Sequence, residues 1–197
     1  MNIRLIAFSR LVIILGLAAW LSIAIFNNLT DPGTNRLLLG HTLSMALVRT
    51  EEVLGAGLLW RAWPAHWSPF VLYAVVTVQL ICATSLWRTV FSYAKALSFQ
   101  DAQELQIARN RGILALSLFV LLWMLFICGG LWFGYWLKQG AIQAVHMTLI
   151  LIGISALIFV QIQPHFEISV SPDNYPEAER SLSSTHERPL ALPGDHS

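Results

Sequence analysis

Charge is the scarcest property of this sequence. Asp, Glu, Lys and Arg make up 12% of its 197 residues, and the formal net charge is +1, against about 25% charged residues in soluble domains. No basic stripe is present to neutralise a phosphate backbone, so we expect no nucleic-acid partner. Hydrophobic residues account for 56% of the chain. This balance is typical of a protein that resides in a lipid bilayer.

Cysteine and catalytic motifs are also scarce or missing. The two cysteines, Cys82 and Cys128, lie within apolar runs, so no disulfide framework is predicted. The sequence has no Gly-x-Ser-x-Gly, no His-Glu-x-x-His, no Walker loop and no dinucleotide fingerprint. The centres of the apolar runs lack Asp, Glu, Lys and Arg, which argues against a proton relay or ion-coupled transport. We therefore expect neither an enzyme nor a cofactor.

Long apolar segments are what the sequence does contain, and a bilayer requires roughly 20 apolar residues per helix. Spans are predicted at about residues 5–26, 68–88, 113–137 and 141–163. The predicted fold is therefore an all-α membrane protein, a bundle of four transmembrane helices within residues 1–163. Only residues 138–140 separate the third span from the fourth, so these two helices are expected to be antiparallel neighbours. Residues 164–197, rich in Pro, Ser and acidic residues, are predicted to form a disordered tail.

The first span is preceded by positive charge. Arg4 and Arg10 resemble the n-region of a secretory signal, but Trp20 and Phe26 leave no small-residue cleavage pattern before Asn27. A retained signal-anchor helix is the favoured interpretation. Arg10 is expected to extend its guanidinium toward the lipid headgroups.

The basic residues also predict the orientation. One side would carry Arg4, Arg10, Arg88, Lys95, Arg109 and Arg111, and the other Arg36, Arg49, Arg61 and Lys138. Because the first group is denser and lies in shorter segments, both termini are predicted to be cytoplasmic.

Residues 27–67 form a long outer loop in this topology. Asp31-Pro32-Gly33 predicts a turn. Leucines then recur at helical spacing, at Leu43, Leu47, Leu54 and Leu58. Thr50, followed by two glutamates, resembles a helix N-cap, so short helices are expected in the loop. Trp60, Trp63 and Trp67 are expected at the membrane interface. Arg61 is expected to pair with Glu51 or Glu52 and fix the loop to the bundle; the alternative is that these charges bind a substrate or partner.

Several short blocks resemble a known family. They are Phe26-Asn27-Asn28-Leu29-Thr30-Asp31, Gly33-Thr34-Asn35, His41-Thr42-Leu43-Ser44-Met45, Trp60-Arg61-Ala62, Gly129-Gly130 and Trp132-Phe133. Together they resemble the signature of bacterial predicted small integral membrane proteins, domain of unknown function 2165, from about Arg4 to Pro164. Family members have an acidic residue where this chain has Ala46 and another where it has Leu131. The resemblance implies a four-span protein of the bacterial inner membrane and supplies no activity.

A second resemblance is weaker. Gly57-Leu58-Leu59-Trp60 is similar to the Gly-Leu-Trp block of claudin-like proteins, which also have four spans and a long first outer loop. That loop is closed by paired cysteines, whereas residues 27–67 contain none. The claudin-like alternative is therefore disfavoured.

Three histidines fall on the predicted outer side: His41, His66 and His146. In this topology His146 lies roughly 8 Å below the outer end of the fourth span. Imidazole ligates haem iron and transition metals, so a haem, metal or ligand site made by His146 with His41 or His66 is one hypothesis. The alternative is that His146 hydrogen-bonds a neighbouring helix, because no two of these histidines have a ligand-type spacing.

The expected function is that of a non-catalytic accessory or scaffold subunit, packed in the bilayer against a second copy or a larger membrane complex. Gly130 and Gly134 form a small-xxx-small pair that would let another helix approach closely. The alternative is that glycine is simply common in membrane helices. Gln79 and the nearby hydroxyl residues of the second span are expected to face other helices.

Overall fold

A computed structural model describes residues 3–162, so the predicted tail at 164–197 lies outside the described residues. The helices are α1 (Ile3–Thr30), α2 (Pro32–Ser44), α3 (Ser68–Phe99), α4 (Ala102–Trp132) and α5 (Gly140–Gln161). Four of them, all except α2, are long and apolar enough to cross a membrane. No strand occurs in the described part of the chain. The predicted all-α bundle of four membrane-spanning helices is confirmed.

The helices pack in a simple order. α3 lies along α1 on one side and along α4 on the other, and α5 lies along α4. The interior contains Ile14, Leu21, Leu86, Leu116 and Phe119, all completely or almost completely buried. As expected from the short connection, α4 and α5 are antiparallel neighbours.

A turn and a helix cap connect α1 to α2. Asp31 Oδ2 accepts a hydrogen bond from Thr34 Oγ1 at 2.7 Å, and Oδ1 accepts one from the Thr34 N–H at 3.4 Å. Pro32 follows at the first position of α2, where its missing N–H costs nothing. The Asp31-Pro32-Gly33 turn predicted from the sequence therefore also starts a helix.

The short helices that the leucine spacing and Thr50 predict in the loop are not confirmed over residues 45–54. α2 ends at Ser44, and its C-cap Met45 has a left-handed φ of 52°. Turns and bends follow from Met45 to Gly55. Thr50 is not an N-cap: its hydroxyl donates to Leu47 O at 3.0 Å. Short 3-10 turns at Ala56–Arg61 and Ala65–Trp67 complete the connection to α3.

α3 and α4 are longer than the predicted spans. The 32 residues of α3 extend about 48 Å, whereas the hydrocarbon core is about 30 Å thick. Gln100 and Asp101 join the two helices, and Lys95 pairs with Glu104 at 2.5 Å across them. We call this end of the bundle the hairpin end. At the other end, α4 stops at Trp132 and not at the predicted Leu137, because Gly134 adopts a left-handed turn with φ of 65°.

Two arginines close the hairpin end. Arg10, which is 4% exposed, donates to Ile162 O at 2.5 Å, and Arg109 donates to Gln161 O at 2.8 Å. These carbonyls belong to the last turn of α5 and its C-cap, where no intrahelical donor remains and a cation is favoured by the helix dipole. The expectation that Arg10 reaches for the headgroups is wrong, because it finds its acceptor inside the protein.

α4 and α5 approach each other closely at two glycines, Gly112 and Gly153, that were not among the predicted packing residues. A Cβ on Gly153 of α5 would lie 2.8 Å from Val120 of α4, and one on Gly112 of α4 would lie 3.3 Å from Val160 of α5. The predicted pair behaves differently. Gly134 lies outside α4, and a Cβ on Gly130 would meet the ring of Tyr135 at 2.4 Å. Gly130 and Gly134 therefore do not form a small-xxx-small surface on one helix.

Candidate functional site

The end of the bundle opposite the hairpin end is covered by residues 31–67 together with 129–139, which we call the cap. The cap has an apolar core of its own, made of Leu43, Met45, Val48 and Phe133. Residues from both segments contribute to this core. The blocks that resemble the family fall in two regions, residues 26–62 and 129–133, which are distant in sequence but meet in the cap.

A chain of amide hydrogen bonds joins the cap to the bundle. Asn35 Nδ2 of α2 donates to Asn28 Oδ1 of α1 at 2.5 Å, and Asn28 Nδ2 donates to Gln79 Oε1 of α3 at 2.9 Å. Gln79 is 3% exposed, so its amide needs a partner. The expectation that Gln79 faces another helix is confirmed, whereas Thr77 and Thr84 are exposed and donate to carbonyls of their own helix.

Arg61 lies against tryptophan rings. Its guanidinium carbon is 4.7 Å from the ring centroid of Trp132 and 5.2 Å from that of Trp60, and the two rings meet edge to face at 5.9 Å. This geometry gives two cation–π contacts to one cation. The predicted pairing of Arg61 with Glu51 or Glu52 is therefore wrong.

The carboxylate of Glu51 instead pairs with Lys138, which belongs to the connection between α4 and α5. Close by, Thr42 donates to Gln139 Oε1 at 2.8 Å. The backbone N–H of Trp63 donates to Leu43 O at 2.8 Å, and the Trp63 ring packs edge to face on the ring of Phe133, with 5.6 Å between the ring centroids. Glu51 thus joins the outer loop to the connection between α4 and α5, with a different cation from the one predicted.

An aromatic group surrounds His146. Its ring lies 5.5 Å from Trp123, 5.1 Å from Phe126 and 6.1 Å from Tyr135, on which it stacks. Three polar atoms of this group are buried and have no hydrogen-bond partner among the described residues: Trp123 Nε1, Tyr135 Oη and His146 Nδ1. Burial raises the pKa of the Tyr135 phenol, so its hydroxyl stays protonated at neutral pH. His146 Nδ1 therefore does not form the hydrogen bond to a neighbouring helix that was the alternative to a ligand site.

The other two histidines have different surroundings. His66 is exposed, with its ring 5.9 Å from that of Trp67, and His41 lies in the last turn of α2, partly buried. Within residues 3–162, no group of three or more His, Cys, Asp or Glu side chains is placed to hold a metal ion. The structure therefore gives no support to the hypothesis of a haem, metal or ligand site made by His146 with His41 or His66.

Most of the residues in the blocks that resemble the family lie in the cap, and several of them stabilise its structure. Asp31 caps α2, Met45 ends it, and the Ser44 hydroxyl donates to Gly40 O at 2.6 Å. Sequence reasoning missed Tyr135 and Gln139, which are both buried. The only sequence signal for these two residues is that each carries a polar group in or near the short connection predicted between the third and fourth spans.

Four apolar helices closed at one end by this cap define a small integral membrane protein. The chain belongs to the family described as predicted small integral membrane protein, domain of unknown function 2165, which it matches over residues 6–163. The match includes the cap and nearly all of the described helices. No curated protein and no solved structure matches the chain.

Proposed function

We propose that this protein is a non-catalytic accessory or scaffold subunit of a membrane assembly, with the cap as its docking surface. The observation that carries the proposal is a group of exposed apolar side chains on the cap, which we call the patch. Val53 is 82% exposed, Trp60 72% and Leu54 57%. Exposed apolar surface of this kind marks interaction sites, and Trp beside Arg is the composition typical of binding hot spots.

The cap holds this patch in a defined conformation. The ion pair between Glu51 and Lys138 secures the segment just before Val53. The contacts of Arg61 with Trp60 and Trp132 secure the segment just after it. A surface that is already ordered loses little conformational entropy when it binds. This supports docking of a protein over simple contact with lipid, which requires no ordered patch.

A site-specific photo-crosslinker tests the proposal. It is introduced at residue 53 on the cap and, as a matched control, at residue 99, since Phe99 is 69% exposed at the hairpin end. Crosslinking in native membranes is expected to give a discrete protein adduct from position 53 and none from position 99. A band of twice 22.0 kDa would identify a second copy, and a larger one a different subunit. Lipid adducts alone at both positions would contradict the proposal.

We also propose that the protein resides in the inner membrane of a bacterium with both termini in the cytoplasm. The hairpin end carries Arg88, Lys95, Arg109 and Arg111 within a short stretch of α3 and α4, whereas Arg36, Arg49, Arg61 and Lys138 of the cap end are spread over a longer stretch of sequence. A dense group of Lys and Arg near helix ends favours the cytoplasmic side.

Labelling with a membrane-impermeant maleimide tests this orientation. Val53→Cys and Phe99→Cys are each made in a chain whose Cys82 and Cys128 are replaced by serine. Position 53 is expected to react in intact cells, and position 99 only after permeabilisation. Reaction of both positions under the same condition would contradict the topology.

A further inference from the structure

A groove runs along the outer surface of the bundle between α3 and α4, on the side of the hairpin end. Its volume is about 500 Å³. Its apolar part is formed by Leu80 and Ile81 of α3 and by Leu114 and Leu118 of α4. Ile81 and Leu114 are 59% and 60% exposed, so the groove is open toward the bilayer.

The polarity of the groove changes along its length. On α3, Leu80 is followed by Thr84 and then by Arg88, one residue per helical turn. On α4, which runs the opposite way, Arg111 precedes Leu114. Both arginines therefore lie at the same end of the groove, roughly 12 Å from Leu80 along the helix axis.

This end of the groove is positively charged, and no carboxylate of the described residues lines it. Arg88 and Arg111 are both exposed, and neither forms an ion pair with an acidic side chain within residues 3–162. Arg111 donates to Ser92 Oγ at 2.6 Å, which places its guanidinium beside the groove and leaves other donors free. The nearby hydroxyls of Thr84 and Ser85 also line the groove.

The depth of the two arginines matches the headgroup region of a bilayer. About 20 residues of α3 precede Arg88, which at roughly 1.5 Å per residue equals the ~30 Å thickness of the hydrocarbon core. The arginines thus lie at the membrane surface, and the leucines lie at acyl-chain depth. Basic pockets between membrane helices at this level bind anionic lipid headgroups.

We propose that the groove binds one phospholipid with an anionic headgroup. Its phosphate lies between Arg88 and Arg111, and one acyl chain lies along Leu80, Ile81 and Leu114. Charge complementarity selects the headgroup, and the apolar part of the groove distinguishes a lipid from a free anion. The site is separate from the cap, so it does not depend on the proposed scaffold function.

Lipid binding to the purified full-length protein in mild detergent tests the proposal. Bound lipid is counted by native mass spectrometry, with phosphatidylglycerol and phosphatidylcholine as probes. Phosphatidylglycerol is expected to bind the wild-type protein in preference to phosphatidylcholine. Each of Arg88→Gln and Arg111→Gln is expected to reduce its affinity about fivefold, since one basic residue contributes about this factor. The double variant Arg36→Gln/Arg49→Gln, which removes two cations at the cap end, is the matched control and is expected to bind as the wild-type protein does.

A further variant and a further ligand distinguish the binding of a lipid from the binding of an anion by the two arginines alone. Ser85→Trp fills the groove and keeps both arginines, and it is also expected to weaken phosphatidylglycerol binding. Inorganic phosphate is expected to compete poorly, because it lacks the acyl chain. Equal affinity for the two lipids, unchanged binding in both arginine variants, or complete competition by inorganic phosphate would overturn the proposal. If an arginine variant does not fold, the comparison of lipids and the Ser85→Trp variant decide the question.

Discussion

Gly129 and Gly130 are adjacent in sequence but lie in different surroundings. A Cβ on Gly130 would come within 2.4 Å of the Tyr135 ring, whereas one on Gly129 would meet nothing within 4 Å. Gly130→Ala is therefore expected to displace a buried ring and to lower the free energy of unfolding by about 1–3 kcal/mol. Gly129→Ala is the control and is expected to be neutral or slightly stabilising, since alanine favours helix. Unfolding by denaturant in micelles measures both, and equal effects would contradict the packing of Tyr135.

His146 presents a different case, because its ring is well packed and its Nδ1 has no described partner. His146→Phe keeps the stacking and removes the buried polar atom, so we expect unchanged or higher thermal stability. His66→Phe is the matched control at an exposed ring and is expected to have little effect. A clear loss of stability specific to His146→Phe would mean that the imidazole makes a bond that the aromatic group alone does not explain.

At the residue scale, the contacts of some side chains could be predicted from the sequence and those of others could not. The turn at Asp31 follows from local chemistry, because Asp, Pro and Gly act on their own backbone. The partner of Arg61 does not follow from local chemistry, since a guanidinium binds carboxylates and aromatic rings alike and Trp132 is far away in sequence. Arg10 was misassigned for the same reason: its acceptor is the carbonyl of Ile162, at the other end of the described chain.

At the scale of elements, the ion pair between Glu51 and Lys138 joins the turn region after α2 to the connection between α4 and α5. Glu51→Lys or Lys138→Glu alone places like charges together and is expected to cost about 0.5–1 kcal/mol, because the pair is partly exposed to solvent. The double exchange Glu51→Lys/Lys138→Glu is expected to recover most of this loss. The measurement is a double-mutant cycle of unfolding free energies.

Glu52 provides the matched control for this cycle. It is exposed, and it forms no ion pair in the described structure, so Glu52→Lys is expected to change stability little and to show no coupling with Lys138→Glu. Additive effects of the Glu51 and Lys138 substitutions would contradict the contact.

Among the elements, the long apolar helices were predictable because burial in lipid requires continuous apolar sequence. The ends of these helices were less predictable. α3 and α4 continue past the predicted spans because a helix can extend beyond the hydrocarbon core when its polar side chains face water or pair with each other, as Lys95 and Glu104 do. The end of α2 at Met45 has no such local cause in the sequence, since the leucine spacing continues beyond it.

At the scale of the whole molecule, the bundle is closed by different means at its two ends. The cap end is held by many side chains, including the amide chain from Asn35 to Gln79. At the hairpin end, α5 has no chain connection to the other described helices, and its last carbonyls are held by Arg10 of α1 and Arg109 of α4. The composition predicted four helices, but it could not predict these two hydrogen bonds. Each arginine donates to a backbone carbonyl, and since every residue has one, the sequence does not show which carbonyl is the acceptor.

The closure has a measurable consequence for α5. Arg10→Met removes a charged hydrogen bond to Ile162 O, and such bonds contribute about 1.5–3 kcal/mol. Because the contact is local to one end, the last turn of α5 is expected to fray: amide exchange should accelerate at residues 158–162 and stay unchanged at residues 145–150, as measured by hydrogen exchange with mass spectrometry in micelles. Arg49→Met, at an exposed arginine of the cap, is the control and is expected to leave exchange at both segments unchanged. Uniform acceleration along α5 in the Arg10 variant would mean that Arg10 supports the whole bundle, and no acceleration would mean that Arg109 alone is enough to hold the helix end.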